Sequence, residues 1–225
     1  MKKEINKKYK FAVIAVDVVI LTIKDDKLSA LLMPMQKEPY LNYWAVLGGL
    51  IKPNESVNEA AKRYLFEKTG LKNVYLEQLY AFGEVGRDPF GRVVSVVYFV
   101  LIPHENFRLK ISKKIKRVKW FSVDSLPPLA YDHGQIIKTA AERLQAKLSY
   151  TNIIYGLLPE KFTLGELQKS YEIILKKKLD KRNFRKKLMS LNIIKSAAGQ
   201  KRGEAHRPAQ LFSFVSKKPQ VVEIL

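Results

Sequence analysis

At 225 residues and 25.9 kDa the chain is long for one ordinary domain and comfortable for two, and its 47% hydrophobic and 11% aromatic residues are enough to bury real cores. Cysteine is absent, which excludes disulfides, thiolate metal sites, iron–sulfur clusters and cysteine nucleophiles. The 41 Lys and Arg against 21 Asp and Glu leave a net charge of +20, which favours polyanionic partners, and the stretch from Thr151 onward, with 16 basic and 6 acidic residues, is twice as basic per residue as the rest.

The basic opening Met1–Lys10 followed by the apolar run Phe11–Ile23 imitates a secretory signal. Asp17 interrupts that run, however, and Lys24-Asp25-Asp26 stands where small residues would precede cleavage. The run is also shorter than the ~20 residues that span a bilayer. It reads as a buried strand over Ala12–Ile23, turning at Lys24–Lys27 into a partner strand, Leu28–Met35. No other segment approaches membrane-spanning length, so a cytoplasmic chain with no membrane partner is expected. Pro34 and Pro39 end the second strand, and Trp44–Leu47 leads into Gly48-Gly49. Val57, Ala60, Ala61, Tyr64 and Leu65 recur at helical spacing over Ser56–Thr69, and Gly70 stops that helix. Strands are expected at Val74–Phe82, Arg92–Ile102 and Val118–Phe121, and a helix over Ile136–Leu148 completes a first unit, residues 1–148.

A second unit spans 149–225. Thr151–Leu157 looks helical, Thr163-x-x-Glu166 has capping-box form ahead of a helix with Leu164, Leu167, Tyr171 and Ile174 on one face, and Asp180 caps a third helix. In that third helix Phe184, Leu188 and Leu191 form the inner stripe, while Arg182, Lys186 and Met189 project away and Asn183 and Arg185 flank it. Short strands at Ile193–Lys195 and Gln210–Val215 enclose a polar, glycine-containing segment. Three helices and a hairpin describe a winged helix-turn-helix.

Gly49, Glu55, Arg63, Leu65, Glu67, Gly70 and Leu71 match the spacing G-x5-E-x7-R-E-U-x-E-E-x-G-U, so this stretch resembles the Nudix box. The resemblance implies an α/β/α sandwich. In Nudix hydrolases the helix presents carboxylates at i, i+3 and i+4 to hold Mg²⁺ against a diphosphate. Those positions here are Tyr64, Glu67 and Lys68. One carboxylate survives, so weak or no hydrolysis is expected, and Glu67 and Arg63 are expected to serve as a helix-to-loop ion pair.

A degenerate Nudix box ahead of a basic winged helix resembles the Nudix-related transcriptional regulators. Gly86-Arg87-Asp88-Pro89, Tyr131-Asp132-His133, Leu179–Lys187 and Arg207–Phe212 look like that family's segments. The resemblance gives an α+β chain: a Nudix α/β/α sandwich followed by a winged helix-turn-helix domain. It implies a ligand-responsive regulator, chiefly a repressor, acting as a homodimer on a palindromic double-stranded operator, without cofactor or catalytic residues. The effector it implies is a sugar or sugar nucleotide, either ADP-ribose or a pentose such as L-arabinose, with segments such as Asn73-Val74-Tyr75 tilting toward the carbohydrate branch.

On physical grounds the third helix can enter a major groove, where Arg reads guanine and Asn adenine. Lys181, Arg182, Asn183, Arg185 and Lys186 are its candidate contacts, and Lys201, Arg202 and Arg207 in the wing are candidates for phosphate or minor-groove contact. For the effector, Arg87 and Arg92 offer guanidinium forks in a Gly- and Asp-rich setting, and Asp88 and Asp132 can accept sugar hydroxyls. Trp44 either stacks on the ligand or belongs to the core, and His133 either contacts the ligand or holds structure. His104, His133 and His206 show no ligand spacing, so no metal site is expected. Two rivals stay open: an Mg²⁺-dependent hydrolase in which Glu55 and Glu84 join Glu67, and an RNA-binding adaptor.

Overall fold

The computed structural model describes residues 11–104, 118–201 and 208–224. The β-branched run becomes a twelve-residue strand, β1 (Val13–Lys24), which pairs antiparallel with β2 (Lys27–Pro34) through a turn in which Asp25 and Asp26 have φ of 49° and 57°. Aspartate tolerates that left-handed geometry because its short side chain bonds locally. Then come β3 (Trp44–Ala45), β4 (Leu47–Leu50), helix α1 (Val57–Thr69), β5 (Tyr75–Phe82), β6 (Val93–Leu101), β7 (Lys119–Ser122) and helix α2 (His133–Tyr150). The sheet order is β3-β2-β1-β6-β5, with β4 on β1 and β7 on β2, and β1 runs parallel to β6.

Side chains alternate across β1 with the period of two that a strand imposes. Val16, Val18 and Ile20 pack with Ala60, Ala61 and Leu65 of α1. Val19 and Leu21 pack on the opposite face with Ile136, Ile137, Ala140 and Leu144 of α2. The α/β/α sandwich follows. Gly48 is required by close approach, since a Cβ there would lie 2.3 Å from Asp17 Oδ1 and 2.4 Å from the Val16 carbonyl.

The apolar cluster on the α2 face continues without a break into the second unit through Ile153, Ile154, Phe162, Leu167, Tyr171, Phe184, Leu188, Phe212 and Ile224. That unit holds β8 (Phe162–Thr163), α3 (Leu164–Leu175), α4 (Lys181–Ser190), β9 (Ile194–Lys201) and β10 (Ala209–Phe214), with sheet order β8-β10-β9. The α3–α4 pair and the hairpin make the winged helix-turn-helix. The capping box expected at Thr163 and the Asp180 cap are both present.

Three details differ from the sequence reading. The helix expected over Thr151–Leu157 is a 3₁₀ turn, Ile153–Gly156, because Thr151 pairs with Val221 and the Asn152 side chain is held by Lys218 and Gln220 of the returning tail. β9 extends to Lys201, beyond the expected end at Lys195. Helix α2 runs from His133 to Tyr150, longer at both ends than the expected Ile136–Leu148. No helix among the described residues is long and apolar enough to cross a membrane.

Candidate functional site

The Nudix-box helix starts firmly. Ser56 Oγ accepts the Glu59 N–H at 3.2 Å and Glu59 accepts the Ser56 N–H at 2.8 Å, a complete capping box, and Gly70 closes the other end in the left-handed conformation. Arg63 forks onto Glu55, with Nε 2.8 Å from one oxygen and Nη2 2.5 Å from the other. It reaches Glu67 only at 3.4 Å. The expected ion pair is therefore mainly Arg63–Glu55. The Arg63 hydrogen bonds, helped by the Lys52 N–H, hold the Glu55 carboxyl down to about 2.

The Tyr64 hydroxyl donates to the Leu50 carbonyl at 2.8 Å, and its ring fills the space beside Gly49, where a Cβ would lie 2.4 Å from the hydroxyl oxygen. Fitting Mg²⁺ here fails on chemistry. Glu55 is committed to a guanidinium, Tyr64 is bonded to backbone, and Lys68 brings a positive charge in place of a carboxylate. Among the described residues no group of three His, Asp or Glu side chains is placed to hold a metal ion.

Across β1 and β4 from that corner lies a cavity of about 270 Å³, lined by Asp17, Met33, Met35, Gly48, Gly49, Arg87, Asp88, Tyr131 and His133 among others. Its polar floor is a buried network. Asp17 accepts the Ser95 hydroxyl at 2.6 Å, and its carboxylate lies 3.7 Å from Arg87 Nη2 and 3.7 Å from His133 Nε2. Arg87, 4% exposed, forks onto Asp132 at 2.8 and 2.6 Å. His133 Nδ1 accepts the Val46 N–H at 3.3 Å, which leaves the proton on Nε2, facing Asp17. Burial pushes the His133 pKa down, against the opposing pull of Asp17 and Asp132. The apolar wall is Met33, Met35 and Tyr131, whose ring packs 4.5 Å from Tyr40 and 5.2 Å from His133.

Of the residues named from sequence, Arg87, Asp88 and His133 line this cavity, and Asp132 joins through Arg87. Arg92 does not. Its guanidinium donates to the carbonyls of Gly83 and Glu84 and ties down the β5–β6 loop. Trp44 packs edge-on against Phe121 at 4.7 Å and borders the core, the alternative the sequence left open. Sequence reasoning missed Asp17, Ser95, Tyr131 and the two methionines. The available signal was Asp17 itself, a carboxylate inside an apolar strand. A larger cavity of about 570 Å³ lies where β5 meets the second unit, around Tyr75, Glu77, Tyr155 and Lys217, and there Glu77 is already taken by Tyr75 and Lys147.

In α4, Asp180 Oδ1 accepts the Asn183 N–H at 2.7 Å and fixes the helix start, while Phe184 and Leu188 are buried. Lys181, Arg182, Asn183 and Lys186 are exposed on a helix with no acidic residue. Arg185 is half-buried, and its Nε has no hydrogen-bond partner among the described residues. Lys201 closes β9, and Arg202 and Arg207 lie outside the described residues. The run Lys176-Lys177-Lys178 is partly neutralised, since Lys176 pairs with Asp124 and Lys178 with Glu172.

The profile described as the NUDIX domain matches residues 13–140, more than half of the chain, and the profile described as the NrtR DNA-binding winged helix domain matches residues 154–214. The chain is 34% identical over 210 residues to the ADPR responsive transcriptional repressor NtrR of Acinetobacter baylyi, covering 92% of this chain and 83% of that one. The chain belongs to the NrtR family. The crystal structure of Shewanella oneidensis NrtR complexed with a 27mer DNA superposes with a TM-score of 0.80 at 33% identity, covering 89% of this chain and 93% of that one. The NUDIX domain of the same NrtR, complexed with ADP ribose, matches 64% of this chain and 99% of its own, with a TM-score of 0.53 and 34% identity. The ADP-ribose pyrophosphatase of Methanocaldococcus jannaschii is 35% identical over 142 residues, which is 61% of this chain and 80% of that protein. The pocket thus lies in the Nudix part of an NrtR-family chain and the basic helix in its winged part.

Proposed function

We propose that this chain is an ADP-ribose-responsive transcriptional repressor in which residues 1–148 sense the ligand, without hydrolysing it, and residues 149–225 read duplex DNA. One observation carries the reading: a Nudix fold with a polar pocket, but with Tyr64 and Lys68 at two carboxylate positions, is joined in one chain to a basic, acid-free helix. The relatives' ADP-ribose replaces the pentose toward which the sequence tilted. The pocket's chemistry suits it, since Asp17 and Asp88 can accept ribose hydroxyls, Arg87 matches a diphosphate, and Met33, Met35 and Tyr131 offer an apolar wall to adenine. Lys181, Arg182, Asn183, Arg185 and Lys186 are the base- and phosphate-reading set, supported by the cationic side chains of Lys201, Arg202 and Arg207. Acting as a homodimer, two such helices match a palindromic operator.

The test titrates the purified full chain with ADP-ribose and with L-arabinose, with and without Mg²⁺, while operator binding and AMP release are followed. Saturable, Mg²⁺-independent binding of ADP-ribose that changes operator affinity, without AMP release, is expected. Sustained Mg²⁺-dependent AMP release would establish the hydrolase kinship instead. A response to arabinose alone would return the ligand to the carbohydrate branch, and preference for single strands over the duplex would make the chain an RNA adaptor.

A further inference from the structure

Four helices start differently in this fold. Ser56, Thr163 and Asp180, the N-caps of α1, α3 and α4, have extended backbones with ψ of 162°, 156° and 118°, and each side chain accepts a hydrogen bond from its own helix. Asp132, the N-cap of α2, has φ −94° and ψ 22°, and its side chain makes no hydrogen bond to the helix. Aspartate is among the preferred N-cap residues, so the departure has a cause. Both of its carboxylate oxygens are drawn onto Arg87. The preceding residue, Tyr131, is held at φ 52°, a left-handed conformation unfavourable for a bulky side chain, and Tyr131 lines the pocket.

The local charge makes this arrangement responsive. Arg87 is surrounded by the carboxylates of Asp132, Asp17 and Asp88, while burial disfavours a charge on His133. A diphosphate entering next to these groups meets net repulsion unless one carboxylate withdraws. Asp17 is fixed by Ser95 and by the backbone packed against it at Gly48. Asp132, 23% exposed at the start of a helix, is held through its carboxylate by Arg87, so loss of Arg87 leaves that side chain able to turn.

We propose that Asp132 is a positioning residue that couples the pocket to the DNA-reading unit: an anionic effector takes Arg87, and the released carboxylate swings to cap α2. This rests on the ADP-ribose reading above. The motion has a rigid path. The eighteen residues of α2 span ~27 Å at 1.5 Å per residue. On the way Gln145 donates to the Ile174 carbonyl of α3 at 2.8 Å, and at the far end the Ser149 and Tyr150 carbonyls accept the N–H groups of Ile224 and Val222, both at 2.9 Å. A rotation of Asp132 into the extended conformation shifts the start of a helix whose other end carries the second unit.

The experiment uses the full chain as wild type, Asp132→Asn and Asp132→Ala, measuring ADP-ribose affinity by calorimetry and operator affinity with and without saturating ADP-ribose. Wild type is expected to change operator affinity about fivefold or more on saturation. Asp132→Asn releases Arg87 yet still caps. Its ADP-ribose affinity is expected at or above the wild-type value, its operator affinity without ligand at the ligand-saturated wild-type value, and its response within about twofold of none. Asp132→Ala releases Arg87 but cannot cap, so its response is also lost while its operator affinity does not reach the saturated value. A full wild-type response in Asp132→Asn overturns the proposal. Loss of ADP-ribose binding by more than about tenfold in that variant also overturns it, by making Asp132 a ligand contact. Failure of wild type to bind ADP-ribose overturns the underlying reading instead, and is visible without any variant. A second measurement needs no substitution: ADP-ribose is expected to slow hydrogen exchange at the Gln135 amide, the third residue of α2, and no slowing overturns the capping step.

Discussion

The two helices that cover the sheet, α1 and α2, begin in opposite ways. At the start of α1 the polar groups are closed into short, specific bonds: the capping box closes on itself, Arg63 forks onto Glu55, and Tyr64 is tied to Leu50. At α2 the groups are shared, with Arg87 between Asp132 and Asp17, and Asp17 among Ser95, Arg87 and His133. A satisfied network is rigid, whereas one in which charges compete for partners can be re-sorted by a newcomer. The helix marked by the Nudix box thus starts at a rigid corner, and the opposite corner holds the groups whose bonding a newcomer could re-sort.

The largest expected effect breaks the responsive corner. Arg87→Ala strands the Asp132 and Asp17 carboxylates, one of them buried, and should cost about 3 kcal/mol in urea unfolding with loss of the ADP-ribose response. A cost below about 1 kcal/mol would mean that the network is looser than its distances state. Next, Arg185→Ala should weaken operator binding by about 1–3 kcal/mol while calorimetric binding of ADP-ribose is retained, and equal loss of both would contradict the division of labour. At the scaffold corner, Tyr64→Phe and Ser56→Ala should each cost about 1 kcal/mol of stability and leave the ADP-ribose titration superimposable on wild type.

The smallest effect is a pH dependence at α2. Burial lowers the His133 pKa from 6.5, so below pH 6.5 the unfolded chain takes up a proton that the folded chain refuses, and stability falls as the pH drops toward the lowered value. Relative to His133→Asn, which keeps an acceptor for the Val46 N–H, wild type should lose at most about 1.3 kcal/mol between about pH 7.5 and 5.5. Equal pH profiles for the two proteins would show that His133 does not titrate in this window.

Local chemistry was legible from the sequence wherever local chemistry decides. The Thr163 and Asp180 caps, the Gly70 stop and the inner stripe of α4 all follow from residues within a turn or two. Long-range contacts were not. Asp17 read as an interruption of an apolar run because its partners Ser95, Arg87 and His133 arrive from distant elements. Arg87 and Arg92 lie in the same loop region, and only the fold turns one inward to Asp132 and the other back onto the loop carbonyls. The 3₁₀ turn at Ile153 was misread for the same reason, since the strand-like tail that competes for Thr151 and Asn152 comes from residues near 220.

The unbroken apolar cluster from Val19 to Ile224 has a consequence for the lifetime of the chain. With one shared interior, the two units should melt in a single transition. A molecule bound in the pocket then protects the basic helix as well, by about 2.7 kcal/mol at a hundredfold excess over its dissociation constant. Proteases that attack the transiently opened chain would therefore find less of it whenever the ligand is abundant, so cellular abundance and turnover would track the same small molecule that sets occupancy of the DNA.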